Sequence, residues 1–143
     1  MRMQTQIGCR PPLAWLGLPA ARAQVRGDAA HRELRGTVEF YRARPGLVVV
    51  GEFYGLPCGS GADGRDFFAV RVYPGAAAAP GFGRVEPGEL PPLLASRGYA
   101  FQAVYTERFP LPAALGGLLT VHACGAAGAA GDAIGCGAIL RAR

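Results

Sequence analysis

The sequence predicts a single all-β domain built from antiparallel strands. Apolar and polar residues alternate in several short segments, which is the period-two pattern of strands with one buried face. The 143 residues include 22 glycines and 12 prolines, which interrupt the chain at short intervals as turns between strands require. Half of the residues are hydrophobic and 17% are charged, so the chain can bury a core and is not generally disordered. These observations indicate a β-barrel or β-sandwich.

Seven strands are predicted along the chain. They cover residues 21–26, 36–41, 47–53, 66–73, 99–106, 118–123 and 135–140. A turn at 44–46 joins the second strand to the third, because proline presets φ and glycine accepts a positive φ. One helical turn is expected within 111–117. In strand 66–73 the side chains of Phe68, Val70 and Val72 alternate with those of Ala69, Arg71 and Tyr73, so the two sets are expected on opposite faces.

The remaining segments lack periodicity. Residues 1–21 are interpreted as an irregular leader and residues 22–143 as the domain. The long stretch 74–92 is predicted to be a loop, and loops of this length in compact domains are usually functional. Residues 56–65 and the stretch 124–132 (CGAAGAAGD) are predicted to be glycine-rich loops.

The charge of the chain is basic, with a net charge of +5 and arginine as its only basic residue type besides histidine. Such a charge can attract an anionic partner. The arginines are scattered along the sequence without interleaved aromatic residues, so nucleic acid is not expected as a partner. Residues 1–23 lack the apolar core of a signal peptide, and no stretch is long enough to span a membrane. A cytoplasmic location without membrane contact is therefore expected.

Four cysteines, Cys9, Cys58, Cys124 and Cys136, allow three disulfide pairings, and the sequence does not choose among them. None of them forms a C-x-x-C pair. A cytoplasmic location also weakens the case for a stable disulfide.

Several segments, in this order, resemble the copper–zinc superoxide dismutase family, especially its divergent bacterial branch. They are 34–41 (LRGTVEFY), 47–57 (LVVVGEFYGLP), 66–75, 88–93, 98–101, 118–122 and 135–139. The resemblance implies a Greek-key antiparallel β-barrel of eight strands, with two long loops that hold copper and zinc. It also implies that the chain can form a homodimer, as members of this family often do.

The resemblance implies where the metals would bind, and other residues occupy most of those positions. The copper-binding His-x-His pair of the fourth strand corresponds to Arg71 and Tyr73. Only His122 matches a copper ligand of the family. Arginine cannot act as a ligand, because its guanidinium has no acceptor and stays protonated.

The zinc-binding pattern corresponds to 86–90 (EPGEL), where Glu89 keeps a carboxylate and Glu86 replaces a histidine. The preceding loop is shorter than in the family and contains no histidine. Cys136 matches one half of the family's disulfide, and the functional arginine before it corresponds to Ala133. Copper needs several imidazoles and zinc about four ligands, so no metal cofactor and no dismutase activity are expected.

Three functions remain open at this point. The first is a non-catalytic, dismutase-like barrel that acts through protein contacts or is simply retained as a fold. The second is a residual metal site, in which His122 and thiols hold copper weakly. The third is a basic module that binds an anionic partner, and a steep salt dependence of binding would favour it.

Individual residues also have alternative interpretations. His122 is either a hydrogen-bonded histidine of the core or a remaining copper ligand, and Cys124 beside it suggests a thiol nucleophile, although no acid partner is identifiable. Arg71, Glu86 and Glu89 are either an ion-pair set in place of the metals or three independent surface charges.

Overall fold

The computed structural model describes residues 17–58, 65–75, 88–124 and 130–142. These residues form nine strands and one short helix. The strands are β1 (Ala21–Gly27), β2 (Arg35–Ala43), β3 (Gly46–Tyr54), β4 (Arg65–Tyr73), β5 (Gly88–Glu89), β6 (Leu93–Ser96), β7 (Ala100–Thr106), β8 (Leu118–Cys124) and β9 (Ala130–Arg141). The helix α1 (Leu111–Ala114) lies between β7 and β8. No helix among the described residues is long and apolar enough to cross a membrane.

All strand pairs are antiparallel and belong to one sheet, in the order β5-β4-β8-β9-β1-β2-β3-β7, with β6 paired to β4. The inner face of this sheet encloses one hydrophobic core. The largest fully buried side chains come from seven strands and the segment before β2: Phe40, Phe53, Phe68, Leu34, Leu93, Leu119, Ile139, Val25, Val38, Val70, Val72 and Val121. A single sheet can bury such a set on one face only if it curls, so the all-β prediction is confirmed as a curled antiparallel sheet.

The two ends of the curled sheet meet at the hairpin formed by β6 and β7. Ser96 and Tyr99 exchange backbone hydrogen bonds of 2.9 and 3.1 Å. Between them, Arg97 and Gly98 have φ of 54° and 81°, the two positive values that a type I′ turn requires. The Gln102 side chain then donates to the backbone carbonyls of the two residues before β6 at 2.9 and 3.1 Å. The sheet therefore forms a half-barrel with this hairpin at its seam.

The seven predicted strands are confirmed, with differences at their ends. The largest difference is in β9, which begins five residues before the predicted strand. β1 begins at Ala21, the last residue of the segment interpreted as a leader. The prediction of a loop over 74–92 is wrong for Gly88 and Glu89, which form β5 against β4. β6 was not predicted either, because a four-residue strand after two prolines shows too little alternation.

Candidate functional site

Arg71, Tyr73, Glu89 and His122, the described residues that the resemblance placed at the metal positions, lie on the outer face of β4, β5 and β8. Phe68, Val70 and Val72 of β4 point into the core. Arg71 and Tyr73 lie on either side of Val72 in the sequence, so they point outward. The register then defines a row across β5, β4, β8 and β9. Arg71 lies opposite Glu89 on one side and Thr120 on the other, and Thr120 lies opposite Cys136.

Arg71 and Glu89 form an ion pair in this row. The Arg71 Nε donates to Glu89 Oε1 at 2.9 Å, and the two side chains are 29% and 50% exposed. This hydrogen bond, together with one to Tyr73, raises the pKa of Arg71 above its usual value. The Glu89 carboxylate is therefore already occupied by a cation of the protein itself.

His122 is buried, with 6% of its surface exposed, and both of its ring nitrogens are hydrogen-bonded. Its Nδ1 lies 2.8 Å from the Gly131 carbonyl, which can only accept, so Nδ1 carries the proton. Its Nε2 lies 2.8 Å from Thr120 Oγ1 and, in the neutral ring, accepts the hydroxyl proton. The pairing of β8 with β9 shifts register on both sides of His122, and such bulges re-aim side chains.

Copper and zinc do not fit this set of residues. Both ring nitrogens of His122 are already hydrogen-bonded within the protein. A neighbouring ligand position holds the Arg71 guanidinium, and the Glu89 carboxylate accepts a hydrogen bond from that guanidinium. Across the parts of the chain that are described, no three residues of the His, Cys, Asp and Glu types lie close enough together to hold a metal ion. Glu86 lies outside the described residues.

The thiols do not complete a catalytic group. Cys58 and Cys136 are exposed, Cys124 is half-buried, and all three are free. Neither nitrogen of His122 is left to accept a proton from Cys124, so the arrangement does not support a thiol nucleophile there. Cys9 lies outside the described residues.

A second group of residues on the outer face was not found from the sequence. Arg26 of β1 lies directly opposite Arg35 of β2, and Arg35 lies opposite Tyr54 of β3. The Tyr54 ring contacts that of Tyr99, with 5.2 Å between ring centroids. The four residues are far apart in the sequence, and only the strand register brings them into one row.

Comparisons with models of known protein families and with curated proteins find no match for this chain. Its function is therefore inferred from its own residues and their geometry.

Proposed function

We propose that this chain is a non-catalytic β-barrel of the copper–zinc superoxide dismutase type, in which hydrogen bonds within the protein replace the metal site. The observation that carries the proposal is the engagement of both His122 ring nitrogens, by Thr120 and by the Gly131 carbonyl. His122 is the only residue of the sequence that matches a copper ligand, and to bind copper it would have to give up one of these bonds.

The order of the strands supports the Greek-key part of this proposal. Apart from the two-residue β5, the strands β4, β6 and β7 follow one another along the chain. β4 pairs with β6, the bridge between Ser96 and Tyr99 joins β6 to β7, and β8 returns to lie beside β4. A strand that returns beside the first of three consecutive antiparallel strands is the pattern of a Greek key.

The Arg71–Glu89 pair supports the loss of metal chemistry. A guanidinium on the outer face of β4 adds a positive charge where a metal ion would need ligands, and it pairs with the Glu89 carboxylate. This is the ion-pair interpretation of these two residues, and Glu86 is not needed for it.

The test is to measure copper and zinc in the purified protein after incubation with both metals, together with the rate of superoxide removal. We expect substoichiometric metal and no superoxide removal above that of a protein blank. The variant His122→Ala is the control, and it should give the same values as the unmodified chain. Stoichiometric metal with superoxide removal that His122→Ala abolishes would overturn the proposal.

A second function, the binding of an anionic partner, is favoured by one specific observation. Arg26 and Arg35 lie directly opposite each other on the outer face, and both side chains are exposed. In an antiparallel pair, like charges at opposite positions destabilise the sheet, and an anion between them removes that cost.

A further inference from the structure

The outer face of β1 and β2 carries three directly opposed side-chain pairs. They are Arg22–Glu39, Gln24–Thr37 and Arg26–Arg35. The first is an ion pair with 2.8 Å between nitrogen and oxygen, and the second is joined by a hydrogen bond of 3.2 Å. Two of the three pairs are therefore chemically complementary, and the third, Arg26–Arg35, opposes two positive charges.

The arginine pair is close as well as like-charged. The Gly27 N–H donates to the Leu34 carbonyl at 3.0 Å, so the next pair along, Arg26 and Arg35, occupies a non-hydrogen-bonded position. At such positions the Cα atoms are about 4.5 Å apart and the side chains lie closest. Within residues 17–58, 65–75, 88–124 and 130–142, neither arginine has a carboxylate partner.

Two tyrosines continue the row beyond the arginines. Tyr54 lies opposite Arg35 and is 54% exposed, and Tyr99, 41% exposed, packs against it with the rings tilted by 56°. The Tyr99 hydroxyl donates to Glu52 Oε2 at 2.8 Å, which holds its ring in place. The row thus presents two guanidinium groups followed by two partly exposed aromatic rings.

We propose that this row, Arg26, Arg35, Tyr54 and Tyr99, binds single-stranded nucleic acid. A phosphate between the two guanidinium groups would neutralise the repulsion between them, and Arg binds phosphate through paired N–H donors. The neighbouring base would stack on the exposed tyrosine face, as bases do on aromatic residues of other sheet surfaces. An acidic peptide would satisfy the arginines but would leave the tyrosines without a matching group.

The position of the tyrosine rings favours single-stranded over double-stranded nucleic acid as the ligand. Tyr54 and Tyr99 lie on the outer face of a curled sheet, where they can reach only bases that are already unstacked. Two acidic side chains of this part of the sheet are engaged with protein donors, since Glu52 accepts from Tyr99 and Asp28 from His31. The net charge of +5 adds attraction over a longer range.

This inference rests on the second proposed function, the binding of an anionic partner at Arg26 and Arg35, and names the class of that partner. Competition by polyglutamate that is as tight as oligonucleotide binding would keep the second function and refute this inference. The non-catalytic barrel is tested separately, because metal binding and oligonucleotide binding are different measurements. The inference also departs from the expectation that nucleic acid is not a partner. That expectation rested on the linear spacing of arginine and aromatic residues, which the sheet register overrides.

The experiment measures fluorescence anisotropy of labelled twelve-nucleotide oligo(dT) and oligo(rU) titrated with the full chain at low salt. The variants are Arg26→Gln, Arg35→Gln and Tyr54→Leu, and the control is Arg22→Gln, which removes the same charge from the same face. We expect each of the first three variants to weaken binding by about fivefold or more, from lost phosphate contacts or lost stacking. Arg22→Gln should change the affinity for the oligonucleotide less than twofold.

Salt dependence gives a second readout. The slope of log affinity against log salt should fall by about 0.7 for each arginine of the row that is removed, the value for one phosphate contact on a single strand. Urea unfolding of each variant shows whether it is folded. The urea midpoint of Arg26→Gln should be at least as high as that of the unmodified chain.

Four results would overturn the proposal. They are no binding of either oligonucleotide at low salt, equal weakening by Arg22→Gln and Arg26→Gln, equal affinity for a duplex of the same length, and equally tight competition by polyglutamate. The last two would show a general polyanion surface without stacking.

Discussion

Replacing Thr120 by valine is expected to destabilise the fold through a single hydrogen bond. Valine has nearly the shape of threonine but no hydroxyl, so His122 Nε2 loses the donor that lies 2.8 Å away. Both side chains are only 6% exposed, and water therefore cannot easily take the place of the hydroxyl. A buried polar group without a partner costs about 1–3 kcal/mol.

Urea unfolding measures this cost. With a slope of about 2 kcal/mol per molar urea, the unfolding midpoint of Thr120→Val should fall by about 0.5–1.5 M. The matched control is Thr37→Val, since the Thr37 hydroxyl donates to Gln24 on the exposed part of the same outer face. That substitution should change the free energy of unfolding by no more than about 0.5 kcal/mol.

A double-mutant cycle separates the hydrogen bond from the two side chains. His122→Leu should also destabilise, because it leaves the Gly131 carbonyl and the Thr120 hydroxyl without partners. In Thr120→Val/His122→Leu the hydroxyl and the imidazole are both gone, so the double variant should cost less than the two single costs together by about 1 kcal/mol. Costs that add within about 0.3 kcal/mol, or a Thr120→Val variant as stable as the unmodified chain, would refute the assigned hydrogen bond.

Three further predictions concern charged residues on the surface. Arg26→Glu turns the like-charged pair of β1 and β2 into an opposite-charged one and should raise stability by about 0.5 kcal/mol, a gain that 1 M NaCl should largely remove in thermal unfolding. Arg71→Leu should lower stability by about 0.5 kcal/mol, because its ion pair on β5 is partly exposed; unchanged or higher stability in urea unfolding would show two independent surface charges. The hydrogen bond from His31 lowers the pKa of Asp28, so the carboxylate contributes stability at neutral pH that disappears as the pH falls through that lowered pKa. Unfolding of Asp28→Asn across pH 2 to 7 should therefore show a deficit at neutral pH that vanishes in acid, and a constant deficit would contradict the assignment.

The strands of the core could be predicted because their alternation is strong. Phe68, Val70 and Val72 form one apolar face of a strand in the sequence, and all three are buried in the structure. Val50 shows the limit of the pattern, since it faces outward by alternation and is still buried, with only 3% of its surface exposed. Period two assigns a face to each residue, but it does not say which outer faces other side chains cover.

The short strands and the rows across the sheet could not be predicted. β5 has two residues, and two residues have no period. The neighbours of Arg71 were predicted in part, because the resemblance pointed to Glu89. The neighbours of Arg26 were not, because Arg35 and Tyr54 become adjacent to it only through the register of three strands. Register depends on which residues pair across turns, and a linear pattern does not contain that information.

The pairing of β1 with β9 has a consequence for how the protein is synthesised. Ala21 lies opposite Arg141, and the Ala142 N–H donates to the Ala20 carbonyl at 3.1 Å, so the first described strand joins the last. During translation, the edges of β1 and β8 stay unpaired until β9 has left the ribosome. An unpaired edge can recruit other strands, so the nascent chain is prone to aggregation just before β9 emerges.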